Sequence, residues 1–269
     1  MKKIAAFCSL IILIGAFILF KNHFIELNKI NTNYLFEGKK KELPFNKQIW
    51  FKNVDSIPLP VGFERIQSAT NSFGFYLQHL PLKKDKTVYL FNGQEKRNQK
   101  AQFAVIDMSI GTQDLQQCAD AVMRLRAEYF YAKGQTDSIQ FKDNNGKIYK
   151  LTKDSNRKQF DNYLNTVFGM CGSYSLSVQL KPKKIMDMQI GDVLIHGGFP
   201  GHAVIVVDMA ENKTTKEKIF MIAQSYMPAQ DIHILINPYH PESAWYNLNT
   251  DNKIYTPEYI FNNNELREW

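Results

Sequence analysis

Apolar positions follow two patterns along the chain, and the first has the period of a helix. Residues 111–134 carry apolar side chains every three or four positions, which places them on one face of a helix. These side chains are Leu115, Cys118, Val122, Leu125 and Tyr129. Thr112 is the expected N-cap, and Gly134 is the expected C-terminal stop. The same spacing predicts a second helix over residues 157–170, with its buried face formed by Phe160, Leu164, Val167 and Phe168.

The second pattern consists of short apolar runs bounded by turn residues, which predict strands. Residues 87–93 and 101–108 form two such runs, and residues 137–151 predict a hairpin that turns at Asn145–Gly146. Four further runs follow the second helix in close succession, namely GDVLIHGG, HAVIVVDMA, KIFMIAQSY and QDIHILI. Helices followed by consecutive strands predict an α+β fold, with a helical core and then an antiparallel sheet.

The N-terminus differs from the rest in composition. Lys2 and Lys3 precede the uncharged stretch Ile4–Phe20, which as a helix would span roughly 25 Å, close to the minimum for crossing a bilayer. No small-x-small cleavage site follows. Residues 1–24 are therefore predicted to be an uncleaved signal-anchor in the inner membrane, with the remaining chain in the periplasm. A signal peptide that is cleaved late is the alternative.

Composition divides the remaining chain into two parts. Residues 25–60 are polar and contain Pro44, Pro58 and Pro60, which is typical of a tether. Residues 61–269 have a globular composition and are predicted to form a single domain.

Charge and cysteine content narrow the classes of partner. The net charge of +7 favours anionic surroundings such as membrane lipid or cell-wall polymer. The lysines are scattered and no recognition motif accompanies them, which argues against nucleic-acid binding. The histidine spacings match no standard zinc pattern, and neither a metal nor a cofactor is expected. Cys8 lies in the predicted anchor, whereas Cys118 and Cys171 could form a disulfide or remain free thiols.

Three polar residues point to thiol chemistry. A cysteine nucleophile needs an imidazole to accept its proton and a polar group to orient that imidazole. Cys118 lies in the first predicted helix, His202 begins a strand, and Gln224 lies near the end of the next strand. In an antiparallel hairpin the last two positions are neighbours. An ion pair with protonated His202 would leave Cys118 partly ionised near neutral pH.

Each of these residues also has a structural interpretation. Cys118 could be a core residue, since a helix that begins at Thr112 places it beyond the reach of the helix dipole. Cys171, in a glycine-flanked turn, is a rival thiol. His202 could be an ordinary strand-edge histidine, and Gln224 a satisfied strand residue.

The order of QCADAVMRL, GDVLIHGG…GHAVIVVD and FMIAQSYMP resembles that of the bacterial papain-like cell-wall amidases, the NlpC-type peptidases and CHAP amidases. This resemblance implies a papain-like fold, with Cys118 as nucleophile, His202 as base and Gln224 as orienting group. The backbone N–H of Cys118, together with Gln116 or Gln117, would then stabilise the oxyanion.

A more extensive resemblance covers most of residues 61–261. The blocks HLPLKKDKTVYLFNGQEKRNQ, DLQQCADAVMRLRAEYFY, GDVLIHGGFPGHAVIVVDMAENK and AQSYMPAQDIHIL are similar to a Bacteroidota domain-of-unknown-function family numbered four-eight-four-six. This resemblance implies an envelope protein with an N-terminal signal, and it implies no activity.

Two functional hypotheses follow from these observations. The first is an envelope-anchored cysteine amidase or peptidase that acts on cell-wall peptide or a related amide. The alternative is a non-catalytic module of the same fold that binds cell-wall peptide or glycopeptide. Retention of thiol reactivity distinguishes the two, and a purely structural envelope protein would show no preferred ligand.

The anchor hypothesis predicts how the protein fractionates. The full-length chain should be recovered with the inner membrane, and deletion of residues 1–24 should release a soluble, folded protein. Mass spectrometry of the membrane fraction provides the measurement. A mature N-terminus shortened by about the length of a signal peptide would instead support cleavage.

Overall fold

The structure is a computed structural model that describes residues 50–269. The predicted signal-anchor and most of the predicted tether therefore lie outside the described residues. Within the described part, four α-helices are present, and none is long and apolar enough to cross a membrane. The helices are α1 (Phe73–Gln78), α2 (Cys118–Ala132), α3 (Arg157–Met170) and α4 (Ser173–Gln179).

Thirteen strands are present in the same residues. They are β1 (Phe63–Arg65), β2 (Gln102–Val105), β3 (Gln140–Lys142), β4 (Ile148–Lys150), β5 (Lys181–Pro182), β6 (Val193–His196), β7 (His202–Asn212), β8 (Lys218–Gln224), β9 (His233–Leu235), β10 (Tyr246–Leu248), β11 (Lys253–Tyr255), β12 (Ile260–Asn262) and β13 (Leu266–Glu268). Nine of them form one sheet in the order β2-β9-β8-β7-β6-β13-β5, to which β1 adds by pairing with β7 and β10 by pairing with β8. The pairs β3–β4 and β11–β12 form separate two-stranded sheets.

The predicted papain-like arrangement, a helical core followed by a sheet, is wrong. The molecule is mostly antiparallel sheet, and the large sheet takes strands from both before and after the helices. β2 precedes α2 and pairs with β9, whereas β13 pairs with both β5 and β6. Strands β5 and β13 are only two and three residues long, too short to produce a readable period in the sequence. The coarser α+β class remains loosely consistent with the structure.

Strand β7 is buried on both of its faces. Ala203, Ile205 and Val207 pack in one core cluster with the apolar face of α2. The alternate residues Val204 and Val206 pack in a second cluster, which includes Phe220, Phe261 and Leu266. Because successive side chains of a strand point to opposite faces, burial on both faces explains why the HAVIVV run is continuously apolar instead of alternating.

The N-cap of helix α2 lies five residues later than the predicted N-cap Thr112. Gln117 is the N-cap and Cys118 is the first helical residue. The backbone N–H of Gln117 donates to the Leu115 carbonyl oxygen at 2.8 Å and to the Asp120 carboxylate at 3.0 Å, and the second contact is the one that a capping box makes. The predicted end is confirmed, because Gly134 follows the helix with a φ of 66°.

Several other predicted elements can be compared directly with the structure. The buried face of α2, the helix α3 and the β3–β4 hairpin are confirmed. The predicted strand 87–93 is absent, since Tyr89 and Leu90 form only isolated bridges. Val54 and Ile57 are fully buried in the core, so the packed domain begins before residue 61.

The burial of α2 leads to a prediction about stability. Leu125 has no exposed surface, so Leu125→Ala should lower the free energy of unfolding by about 2–5 kcal/mol through lost contacts and a residual cavity. Asn165→Ala on the exposed face of α3 is the control and should change it by less than about 0.5 kcal/mol. Denaturant unfolding measures both. Equal effects would show that Leu125 does not belong to the core.

Candidate functional site

Cys118 occupies the first helical position of α2, where the backbone N–H groups have no partner within the helix. Burial raises the pKa of the Cys118 thiol above its usual value, and the nearby Asp120 charge adds to the increase. Hydrogen bonding from the backbone N–H groups of Ala119 and Ala203 acts in the opposite direction but is the smaller effect. The thiol is therefore neutral at neutral pH in the absence of a ligand.

His202 is the first residue of β7, and only 2% of its surface is exposed. Its ring packs against Tyr226 and Tyr259, with centroid distances of 4.7 and 5.0 Å. Burial lowers the pKa of His202 to about 4. The ring is consequently neutral at neutral pH, and the thiolate–imidazolium pair expected from the sequence is not favoured in this environment.

The sulfur of Cys118 and the ring of His202 lie at the same end of β7. The thiol is within reach of the Ala203 N–H, and Ala203 directly follows His202. The thiol also interacts electrostatically with Tyr226 and Tyr259, the two rings that pack on His202. Among the hydrogen bonds of the described residues, none joins the sulfur to the imidazole. The catalytic roles of both residues therefore stay predictions.

Gln224 ends β8 and is 1% exposed. Its Oε1 lies 2.8 Å from His202 Nε2, so the side chain makes the contact that an orienting role requires. Its Nε2 lies 2.8 Å from Glu258 Oε2 and 3.3 Å from His233 Nε2. Whether Gln224 serves catalysis in this position stays a prediction.

A buried polar cluster beyond Gln224 is not predicted by the sequence patterns. Lys96 is 6% exposed, and its Nζ lies 2.5 Å from Glu258 Oε2. Asn98 donates to the other carboxylate oxygen of Glu258 at 3.0 Å. The two ion-pair residues stand in the polar segments QEKRNQ and TPEY, which look like solvated loops. Only their pairing across the fold, 162 residues apart, shows that they are buried together.

The two oxyanion candidates differ in the availability of their donors. Gln117 donates its backbone N–H to Asp120 and its side-chain amide to Asp114, at 3.0 and 3.1 Å. Gln116 is 1% exposed, and its Oε1 accepts a hydrogen bond from Arg124. The Nε2 of Gln116 is buried without a hydrogen-bond partner among the described residues. Gln116 is therefore the candidate with a free donor.

The other thiol lies in a different environment. Cys171 caps the end of α3, and both it and Cys118 are free thiols. Burial raises the pKa of Cys171 to about 12, with smaller contributions from Asp143 and Asp120. Within residues 50–269, no group of three or more His, Cys, Asp or Glu side chains is arranged to hold a metal ion.

Comparison with known proteins identifies the family of the chain. No curated protein and no solved structure matches the chain. The family model described as Domain of unknown function (4846) matches residues 54–153 and 143–268, which together include the cysteine, the histidine and the polar cluster. Because these matches cover well over half of the chain, the protein belongs to the Domain of unknown function (4846) family.

Proposed function

We propose that this protein is a cysteine hydrolase that cleaves an amide bond. The observation that supports the proposal most strongly is the hydrogen bond between His202 and Gln224 next to the first turn of α2. This bond uses Nε2 of the imidazole and leaves Nδ1 to accept a proton. Cys118, at the start of α2, is the nucleophile that would supply this proton.

The reaction starts from neutral partners. His202 Nδ1 takes the Cys118 proton while the sulfur forms a bond to the carbonyl carbon of the substrate. The negative charge that develops on the carbonyl oxygen is stabilised by the backbone N–H of Cys118 and by Nε2 of Gln116. The C–N bond then breaks, and the departing amine receives the proton from His202. Water hydrolyses the resulting thioester, with His202 as base, and restores the thiol.

The proposed substrate is cell-wall peptide or a related amide, and the proposed location is the envelope. The net charge of +7 suits an anionic polymer, and residues 1–24 have the pattern of a signal-anchor. The order of the Cys, His and Gln motifs resembles that in cell-wall amidases. The proposal depends on the chemistry of these residues and does not require the architecture of those enzymes.

A second candidate is a non-catalytic module that binds cell-wall peptide or glycopeptide. The observation in its favour is the burial of Cys118, which raises the thiol pKa and disfavours the nucleophilic thiolate. The reactivity of Cys118 in the native protein separates the two candidates.

The hydrolase predicts an unusual pH profile for alkylation of Cys118 by iodoacetamide. His202 accepts a proton only in its neutral form, and its pKa is lowered to about 4. The rate should therefore fall as the pH drops through about 4, and not near the ordinary histidine value of about 6.5. His202→Gln should slow alkylation about 10²-fold at pH 6–7. Peptide mass spectrometry, read separately for each cysteine, gives the rates.

His196→Gln is the matched control for this experiment. His196 lies opposite His202 in the β6–β7 register, but it is exposed and paired with Glu265. This variant should alkylate like the wild type. A Cys118 that reacts only after unfolding would contradict the hydrolase and favour the binding module.

Gln116→Glu tests the oxyanion donor. The variant keeps an oxygen for Arg124 and removes the free amide donor. Acylation of Cys118 by p-nitrophenyl acetate passes through an oxyanion and should slow by about 10²- to 10³-fold. Alkylation by iodoacetamide forms no oxyanion, so it should slow far less than acylation, and only as far as the new carboxylate disfavours the Cys118 thiolate. Gln117→Ala, which removes a donor already in use, should affect neither reaction. Equal slowing of both reactions by Gln116→Glu would show a general disturbance of the thiol.

A further inference from the structure

The ion pair between Lys96 and Glu258 contacts the Gln224 amide, which in turn contacts His202. The two side chains are 7% and 13% exposed, and the carboxylate also accepts from Gln224 and Asn98. Burying an ion pair gives little net stability, because desolvation offsets most of the attraction. An apolar pair of similar volume would stabilise the fold about as well, so the charged pair suggests a requirement other than stability.

The surroundings of Gln224 determine which way its amide points. The Glu258 carboxylate only accepts hydrogen bonds, so the NH₂ group of Gln224 must face it. The hydrogen bonds of His233 require the same orientation of the Gln224 amide. Its Nδ1 lies 2.8 Å from the carbonyl oxygen of Asp231 and must donate, which leaves Nε2 as an acceptor for the same NH₂ group. Two independent acceptors therefore turn the Gln224 carbonyl oxygen toward His202.

This orientation determines the tautomer of His202. A carbonyl oxygen at 2.8 Å can only accept, so Nε2 of His202 must carry the proton. In the neutral ring, Nδ1 is then the unprotonated nitrogen. We infer that Lys96 and Glu258 are positioning residues, which act through the Gln224 amide to hold His202 in the tautomer whose Nδ1 can accept a proton. The catalytic consequence, that this proton comes from Cys118, rests on the proposed function.

Charged and titratable groups face His202 from several elements. Glu258 favours a positive ring and Lys96 disfavours it, while the desolvating rings of Tyr226 and Tyr259 pack against it. His233 lies on the neighbouring strand β9. Burial lowers its pKa to about 3, so it carries no charge at neutral pH. Because the net effect leaves His202 neutral, its tautomer can be measured directly at pH 7.

Paired substitutions separate orientation from charge. Lys96→Met with Glu258→Leu removes the acceptor and leaves no unpaired buried ion. Lys96→Met with Glu258→Gln removes the same charges but keeps a carbonyl that can accept from Gln224. The measurement is the ¹⁵N NMR spectrum of the histidine rings in the full-length chain at pH 7, with His202 identified by its loss in His202→Gln. Iodoacetamide labelling of Cys118 is followed in the same samples.

The wild type and the Met/Gln pair should both show the Nε2–H tautomer of His202. The Met/Leu pair should shift the tautomer ratio toward Nδ1–H by roughly five-fold or more, the equilibrium effect of one lost hydrogen bond. Its Cys118 alkylation rate should fall in parallel. An unchanged tautomer in the Met/Leu pair, or a wild type that is already Nδ1–H, would overturn the inference. A tautomer shift with an inert Cys118 in every protein would support the positioning and reject the hydrolase.

Discussion

Burial of β7 on both faces is the constraint on which the rest of the structure depends. A strand whose first nine residues are all buried needs apolar cover above and below it. The helix α2 supplies one cover, and residues near the C-terminal strands β12 and β13 supply the other. His202 begins this strand, so this ionisable side chain lies where the core meets the first turn of α2. The position of the candidate site is thus a consequence of how the sheet is enclosed.

The same burial determines the electrostatic character of the site. Desolvation disfavours charged forms, so the pKa of Cys118 rises and that of His202 falls. The thiol of Cys118 and the imidazole of His202 are therefore both neutral at neutral pH. Lys96 and Glu258 form an ion pair near this end of the sheet, and their opposite charges offset each other. The arrangement of the candidate site is therefore set more by the direction of its hydrogen bonds than by net charge.

The features that the sequence predicts well are those with long, strong periods. The buried face of α2, the helix α3 and the central strands β6 to β9 are all apparent from apolar spacing. The papain-like architecture could not be corrected from the sequence, because strands such as β5 and β13 are too short to show a period. The sequence misplaces the start of α2 because Thr112 is a favoured N-cap residue and Gln117 is not, although the Asp120–Gln117 hydrogen bond forms at the actual start. Lys96 and Glu258 were missed because burial of loop residues depends on tertiary packing.

The order of strands in the large sheet also affects how the chain can acquire its structure. β1 pairs with β7 across a separation of well over one hundred residues, and β13 separates β6 from β5 in the sheet. The sheet is not complete until β13, which spans Leu266–Glu268, has been synthesised. Contacts of such high sequence separation form slowly, because a long loop must close before any of them contributes stability. The second apolar face of β7 is therefore only partly covered until Phe261 and Leu266 have been added to the chain.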